Sequence, residues 1–163
     1  MLTPLRVSSL VLLGVTWALS LAHALEYPGK LRLDHGHYFA AQTIYYPGFT
    51  YAGTAEPLAI IVLAVLLVIT PAGSSSFWLT VCALVAAVLT HALYWWRTAP
   101  VNRVWLKNES LTRNAERFFR RDHGNGLPSD WVSLRTRWEH SHLYRGVGAT
   151  LALASILAIL ISR

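Results

Sequence analysis

Acidic and histidine side chains lie beside the apolar segments of this chain, where ionisable groups are costly to bury. The stretch Trp138–Gly146, WEHSHLYRG, carries Glu139 and His142 three residues apart. A second pair in the reverse order, His23 and Glu26, follows the first apolar segment. Residues three apart lie on one face of a helix, and four-helix bundles build metal sites from inward Glu and Glu-x-x-His side chains. The spacing therefore indicates an acid–imidazole site that could bind a metal or transfer protons.

The composition is typical of a membrane protein. Of the 163 residues, 54% are hydrophobic and only 13% are charged, and the mean hydropathy is +0.40. The net charge is +6, but the basic residues are concentrated between apolar segments. This distribution favours a lipid bilayer over a nucleic acid as the partner. The single cysteine, Cys82, excludes an intrachain disulfide.

Four apolar segments predict an all-α fold, an integral-membrane four-helix bundle that forms one domain. A bilayer core about 30 Å thick needs about 20 helical residues. The second and fourth segments are shorter than this, so both must extend into polar flanks on their N-terminal side. The first segment also resembles a secretory signal, because AHA follows the apolar run; we interpret it as a retained transmembrane helix. The predicted spans are residues 7–26, 50–70, 77–97 and 140–161, with a connection at 98–139.

The basic residues also predict an orientation. All of the 14 Lys and Arg residues except Arg6 and Arg163 fall between residues 26 and 55 or between residues 97 and 145. The positive-inside rule places these two connections in the cytoplasm. We therefore expect a multi-pass protein of the bacterial inner (plasma) membrane, with both termini on the non-cytoplasmic side.

The long connection has a pattern of its own. Apolar residues at helical spacing between residues 101 and 118 predict an amphipathic interfacial helix between the third and fourth spans. After a turn-rich break, Ser129 or Asp130 can cap a new helix. This helix is expected to continue into the fourth span without interruption. One face of this helix is expected to carry Trp131, Leu134, Trp138, His142 and Arg145, which lie three or four residues apart.

The short turn between the second and third spans sets the depth of two more ionisable residues. Glu56 lies 14 positions before Thr70, and His91 lies 14 positions after Phe77. At about 1.5 Å per residue, both are about 21 Å from the hairpin end. The other two helices bring further polar residues near this level: His23, Glu26, Glu139, His142 and Arg145. Because ionisable residues inside a membrane usually face the bundle and mark function, we expect one site at its cytoplasmic end.

The residues allow several chemistries at this site. Imidazoles accept iron or copper, and carboxylates favour iron or manganese; a haem held by two histidines, such as His23 with His91 or His142, is also compatible with the spacing. Without a metal, His91 or His142 would be the base and Arg145 would stabilise an oxyanion. The same residues could instead form a polar interfacial face or a structural hydrogen-bond network. The candidate metal ligands are His23, Glu26, Glu56, His91, Glu139 and His142, and the candidate catalytic residues are His91, Glu139, His142 and Arg145.

Four stretches near the helix ends resemble a family of small four-helix integral-membrane proteins of unknown function that includes the anthrone oxygenases: HALEYPGKL, YYPGFTYAGTAEP, PVNRVW and LRTRWEHSHLYRG. The resemblance covers nearly the whole chain in order and spacing. For the characterised branch it implies oxidation of an anthrone carbon to a quinone by dioxygen. It implies functional positions at Glu26, Pro100, Asn102, Trp138, Glu139, His142 and Arg145. Of these, Asn102 and Trp138 are our candidates for cofactor binding.

We therefore expect a membrane-embedded, oxygenase-like oxidoreductase that takes a hydrophobic phenolic or quinone-like substrate from the bilayer. The alternative is a non-catalytic small subunit of a larger membrane complex, in which the His/Glu cluster is a structural polar network. A small transporter or metal carrier is a third hypothesis. Among the aromatic residues, Trp105, Trp131 and Trp138 are expected to anchor the protein at the membrane boundary, and Tyr45, Tyr46 and Tyr51 could line a pocket.

Overall fold

A computed structural model of the chain describes residues 2–105 and 130–162. All regular elements in these two ranges are helical, which confirms the predicted all-α fold. A 3-10 turn at Thr43–Tyr45 and a π-helical turn at Tyr94–Thr98 join some of the helices. The α-helices are α1 (Leu2–Lys30), α2 (His35–Gln42), α3 (Gly48–Ala52), α4 (Ala55–Ile69), α5 (Ser75–Leu93), α6 (Ala99–Trp105) and α7 (Trp131–Ile161).

Four helical stretches are long and apolar enough to cross a membrane: Leu2–Lys30, Gly48–Ile69, Ser75–Trp105 and Trp131–Ile161. The first, third and fourth extend beyond the predicted spans at the end of the bundle that carries the ionisable residues. The predicted spans were limited to about the length needed to cross a bilayer, whereas helical hydrogen bonding continues further through polar residues. Large apolar side chains are exposed on all four stretches, as on Val11, Ile61, Leu89 and Val147. Such a surface is compatible with a multi-pass protein in a lipid bilayer.

The helix that contains the fourth span begins at one of the two caps that the sequence predicts. Asp130 is the N-cap of α7, and its carboxylate accepts a hydrogen bond of 2.8 Å from the Ser133 backbone N–H. From there α7 runs for 31 residues without a break. The predicted interfacial helix is helical over Ala99–Trp105, which continues α5 through the π-helical turn. The remainder of that prediction, residues 106–118, lies outside the described residues.

The apolar core fills the end of the bundle near the α4–α5 turn. Its members are mostly small or branched residues: Leu13, Ala59, Leu63, Leu66, Ala83, Ala86, Ala87, Ala152, Ile156 and Ile159. Helices α5 and α7 approach closely at Gly148, where an added Cβ would lie 2.2 Å from Thr90 Oγ1. Small residues allow such close helix contacts in membranes. The tight packing holds the four helices in register and so fixes which polar side chains meet at the opposite end.

Candidate functional site

A buried ion-pair group joins α4, α5 and α7. Glu56 Oε1 lies 2.9 Å from His91 Nδ1, and Glu56 Oε2 accepts a hydrogen bond of 2.7 Å from Arg145 Nη2. Arg145 Nη1 lies 3.5 Å from His142 Nδ1 on the preceding turn of α7. The prediction that Glu56 and His91 lie at the same depth is therefore confirmed. Each oxygen of the buried Glu56 carboxylate has a hydrogen-bond partner, so its negative charge is compensated inside the bundle.

Helix α1 extends this group toward the other side of the bundle. The His23 ring contacts the His142 ring at a centroid distance of 4.1 Å. Lys30 Nζ lies 3.4 Å from His23 Nδ1 and 3.0 Å from Glu26 Oε2. These contacts form one continuous polar chain that includes all four spans. In order, its members are His91, Glu56, Arg145, His142, His23, Lys30 and Glu26.

Glu139, a candidate catalytic residue, lies outside the lining of the pocket described next. It is only 1% exposed, and its Oε1 accepts a hydrogen bond of 2.8 Å from Tyr38 Oη. The same oxygen lies 3.7 Å from Lys30 Nζ, and Oε2 has no hydrogen-bond partner among the described residues. Glu26 likewise accepts a hydrogen bond from Tyr45 Oη. Neither carboxylate lines the pocket described next.

A pocket of about 470 Å³ lies alongside the polar chain. This volume is in the range of small-molecule sites, about 300–1,000 Å³. Its charged and imidazole lining consists of His23, Glu56, His91, His142 and Arg145. Its aromatic lining includes Tyr45, Tyr46, Phe49, Tyr51, Tyr94, Trp95, Trp105 and Trp138. The predicted pocket tyrosines, Tyr45, Tyr46 and Tyr51, are thus all in its wall.

Two tryptophans expected at the membrane boundary belong to this pocket instead. Trp138 is 4% exposed, and its indole N–H donates a hydrogen bond of 2.7 Å to Asn102 Oδ1. Trp105 contacts the Trp138 ring at a centroid distance of 5.5 Å. The boundary assignment is therefore wrong for Trp138, because α7 turns this ring toward α1 and α6. Asn102 holds Trp138 and, like it, lines the pocket.

The partners of the imidazoles fix which nitrogen carries the proton. An ammonium or guanidinium can only donate, so Nδ1 of His23 accepts from Lys30 and Nδ1 of His142 accepts from Arg145. In a neutral ring the proton then resides on Nε2, and Nε2 of His142 has no hydrogen-bond partner among the described residues. Both rings are thus N–H donors in the wall of the pocket, and Nε2 of His142 is itself buried.

His91 has the opposite arrangement. Its Nδ1 faces the Glu56 carboxylate, which can only accept, so this nitrogen carries a proton. Its Nε2 accepts a hydrogen bond of 2.9 Å from the Trp95 indole N–H. Among the three pocket imidazoles, His91 is therefore the one whose Nε2 is an acceptor, and the Trp95 indole N–H occupies it.

Two phenols outside the membrane-spanning stretches are held in their neutral form. Burial raises the pKa of Tyr38, and the nearby Glu139 carboxylate raises it further. Burial also raises the pKa of Tyr45, and its hydrogen bond to Glu26 adds to this effect. Both tyrosines therefore donate hydrogen bonds to carboxylates at neutral pH.

The six predicted metal ligands are not gathered around one point. Over residues 2–105 and 130–162, no group of three or more His, Cys, Asp or Glu side chains is arranged to hold a metal ion. Arg145 and His91 engage both oxygens of Glu56, and Lys30 lies between Glu26 and Glu139. The contact between the His23 and His142 rings also leaves no space for a haem between them. We therefore derive no chemical step through a metal or a haem.

Comparisons of the chain with protein-family models, with curated proteins and with solved structures find no match. The resemblance to the membrane family that includes the anthrone oxygenases therefore stays a prediction.

The sequence analysis missed three residues of the site. Lys30 lies four positions after Glu26 on the same face of α1, and this spacing could have identified it if α1 had been extended past residue 26. Tyr94 places its ring 5.1 Å from the Arg145 guanidinium carbon, and Trp95 covers His91. The π-helical turn at Tyr94–Thr98 positions both aromatic residues, and no spacing rule would have predicted that turn.

Proposed function

We propose that this protein is a membrane-embedded oxidoreductase that binds a hydrophobic phenolic or quinone-like molecule and removes a proton from it. One observation carries the proposal: a largely aromatic pocket is lined by His91, whose Nε2 is an acceptor, and by His23 and His142, whose neutral rings are N–H donors. Aromatic walls suit a flat hydrophobic substrate. An acceptor and donors in one pocket suit proton removal coupled to stabilisation of the resulting oxyanion.

His91 is the proposed base. Glu56 fixes its ring through Nδ1 and would stabilise the imidazolium that forms when Nε2 takes a proton, as a carboxylate does for the histidine in a catalytic triad. The His91 side chain is 31% exposed, so a substrate can reach it. The Trp95 indole must first leave Nε2, and Trp95 is itself 43% exposed.

Arg145 and His142 are the proposed oxyanion-stabilising groups, with His23 as a second imidazole donor. When a proton leaves a carbon next to a carbonyl or phenol, negative charge develops on the oxygen. The N–H groups of His142 and His23, together with the Arg145 cation, are already oriented by their partners. Donors that are oriented before reaction need no reorganisation as this charge develops.

With dioxygen as co-substrate, the proposed reaction converts a CH2 group and O2 into a C=O group and H2O. His91 takes one C–H proton, and the carbanion electrons form a C–O bond to dioxygen. Return of the proton gives a hydroperoxide. Loss of the second C–H proton with cleavage of the O–O bond then forms the carbonyl and releases water. The carbon loses four electrons and dioxygen gains four. The resemblance to the anthrone oxygenases supports this choice of oxidant.

The proposed location is the bacterial inner membrane, with the pocket at the cytoplasmic end of the bundle and both termini on the other side. The support is the concentration of Lys and Arg in the two connections next to the pocket. Cysteine accessibility labelling in intact cells tests this orientation. A cysteine introduced at the α4–α5 turn should be labelled in intact cells. Labelling only after the membrane is permeabilised would mean that the protein has the opposite orientation.

The proposed activity can be tested on detergent-purified protein of known metal content. Hydrophobic phenols, anthrones and quinones are titrated while tryptophan fluorescence is recorded, and dioxygen uptake is then measured with those that bind. We expect His91→Gln to retain binding and to slow uptake by about 100-fold or more, the usual contribution of a general base. His37→Gln is the matched control, because His37 is exposed and its ring pairs with the nearby Asp34 rather than with any pocket residue that the structure describes. Unchanged uptake in His91→Gln would overturn the assignment.

The structural alternative also has an observation in its favour. Glu56 pairs with both His91 and Arg145 and so links three helices, as expected of a network that only holds a bundle together. A non-catalytic subunit would show stoichiometric partner proteins on mild purification and no binding of any aromatic ligand. In that case His91→Gln would lower the melting temperature without affecting any reaction.

A further inference from the structure

Two arginines lie where the π-helical turn after α5 meets α7, on the surface of the bundle. The Arg97 guanidinium carbon lies 5.8 Å from the ring centres of both Trp96 and Tyr144, and both of these aromatic residues are exposed. Arg137 precedes Tyr144 by seven residues, about two helical turns, so the two share one face of α7. We call Trp96, Arg97, Arg137 and Tyr144 the arginine seam.

Both guanidinium groups of the seam are held by uncharged partners. Arg137 Nη2 donates a hydrogen bond of 2.7 Å to the Trp96 carbonyl oxygen, and its Nε donates one of 3.4 Å to the Arg97 carbonyl oxygen. Arg97 contacts two aromatic rings, which attract a cation. Within residues 2–105 and 130–162, neither arginine forms an ion pair with a carboxylate. A guanidinium has five N–H donors, so both arginines retain donors for an anion.

Apolar side chains continue from the seam toward the middle of both spans. On α7, Val147 and Leu151 follow Tyr144 at intervals of three and four residues, and both are exposed. Leu89 of α5 precedes Trp96 by seven residues and is exposed too. Residues at these spacings share a helix face. The seam therefore combines positive charge at its end with hydrocarbon along its length.

We propose that the arginine seam binds the phosphate group of an anionic phospholipid, whose acyl chains lie along the exposed faces of α5 and α7. Arginine is well suited to phosphate, because its planar fork can donate two parallel hydrogen bonds. Basic sites between transmembrane helices bind anionic head groups, and Trp and Tyr rings lie at the level of the head groups. The apolar faces beside the seam favour a lipid over a soluble phosphate compound.

The seam is separate from the proposed reaction, because none of its four residues lines the pocket. Its test therefore needs no substrate. The detergent-purified protein is mixed with phosphatidylglycerol, which is anionic, or with phosphatidylcholine, which carries a phosphate but no net charge. Native mass spectrometry then counts the bound lipids and gives their apparent affinity. Inorganic phosphate is added as a competitor without acyl chains.

We expect the natural protein to retain one phosphatidylglycerol, to bind phosphatidylcholine much more weakly, and to keep its lipid in the presence of inorganic phosphate. Arg97→Gln and Arg137→Gln should each weaken phosphatidylglycerol binding about five-fold, the loss expected when one arginine near an anionic lipid is removed. Arg32→Gln is the matched control, because it removes the same charge from an exposed position after α1 and should leave the affinity unchanged.

A second measurement locates the lipid in the natural protein and so does not depend on the folding of any variant. Phosphatidylglycerol with a photoreactive diazirine on the acyl chain, close to the glycerol, is crosslinked to the protein, and the modified peptides are identified by mass spectrometry. We expect the adducts on Trp96, Tyr144 or Val147.

Four results would overturn the proposal. Equal affinity for phosphatidylglycerol and phosphatidylcholine would exclude recognition of charge. An equal effect of Arg32→Gln and of the two seam variants would mean that the net charge of the protein attracts the lipid. Displacement by inorganic phosphate would identify a soluble anion as the occupant. Adducts confined to α1 and α4 would place the lipid elsewhere on the bundle.

Discussion

His91 and Glu56 form a hydrogen bond of 2.9 Å across the α4–α5 hairpin, although they lie 35 positions apart in the sequence. Arg145 completes the group from α7 at 2.7 Å. Because the Glu56 side chain is 5% exposed, its charge depends on these two partners rather than on water. The group therefore links bundle stability to the orientation of the proposed base.

Removing the cation from this group should destabilise the bundle strongly. We expect Arg145→Met to reduce the free energy of unfolding by about 3–5 kcal/mol, because it leaves Glu56 buried with only His91 as a partner. The measurement is the thermal melting of the detergent-solubilised protein. Adding Glu56→Gln should recover part of the loss, since it removes the uncompensated charge. Arg32→Met is the exposed control, and an equal effect at both arginines would contradict the buried role of Arg145.

The contact between α5 and α7 should be sensitive to a single methyl group. An added Cβ at Gly148 would lie 2.2 Å from Thr90 Oγ1. We expect Gly148→Ala to cost about 1–3 kcal/mol through overpacking and Thr90→Ala to relieve much of that cost in the double variant. Gly14→Ala is the control, because its added Cβ would have no atom within 4 Å among those in the structure. Equal melting temperatures for Gly148→Ala and Gly14→Ala would contradict this close contact between α5 and α7.

The stability of the folded protein should fall at alkaline pH partly because of Tyr38 and Tyr45. Burial raises the pKa of both phenols in the folded state above the ordinary value of 10.0, whereas in the unfolded chain they ionise near that value. Their contribution to the free energy of unfolding is therefore fully present below about pH 10 and is lost as the pH rises further. Melting temperatures between pH 8 and 11 should decline less steeply in Tyr38→Phe and Tyr45→Phe. The control is Tyr51→Phe, because Tyr51 is 61% exposed. If the melting temperature declined equally in all variants, the two buried phenols would not be the cause of the alkaline loss of stability.

Removing the indole N–H from Trp95 should free His91 for reaction. In the resting structure Trp95 donates to His91 Nε2 at 2.9 Å, so this nitrogen is blocked. We expect Trp95→Phe to increase labelling of His91 by diethyl pyrocarbonate several-fold, as measured by peptide mass spectrometry. Trp96→Phe should have no such effect, because Trp96 is exposed and its indole makes no hydrogen bond to His91 among those described. Equal His91 labelling in the natural protein and Trp95→Phe would show that the indole does not protect this nitrogen.

The site could be predicted only in part from spacing. The depth of Glu56 and His91 followed from a short turn and a constant helical rise, and their hydrogen bond agrees with that count. The same counting brought His23 and His142 to one level, where their rings are in contact. The count also grouped Glu139 with these residues, whereas Glu139 contacts Tyr38 and Lys30 and does not line the pocket. A depth count fixes height along the bundle but does not fix rotation, and rotation decides whether a side chain faces the pocket or the space behind it.

The sequence by itself determined the helical class, the four apolar stretches, a helix cap at Ser129 or Asp130 and the level at which the ionisable residues gather. These properties depend on local hydrogen bonding, on hydropathy and on the fixed rise of a helix. Only the tertiary structure decided the partners: Arg145 with Glu56, Lys30 between Glu26 and Glu139, and Trp95 on His91. A buried charge has the lowest free energy with whichever opposite charge the packing brings within hydrogen-bond distance. That choice depends on helix rotation and on the π-helical turn, which in turn depend on contacts between residues far apart in the chain.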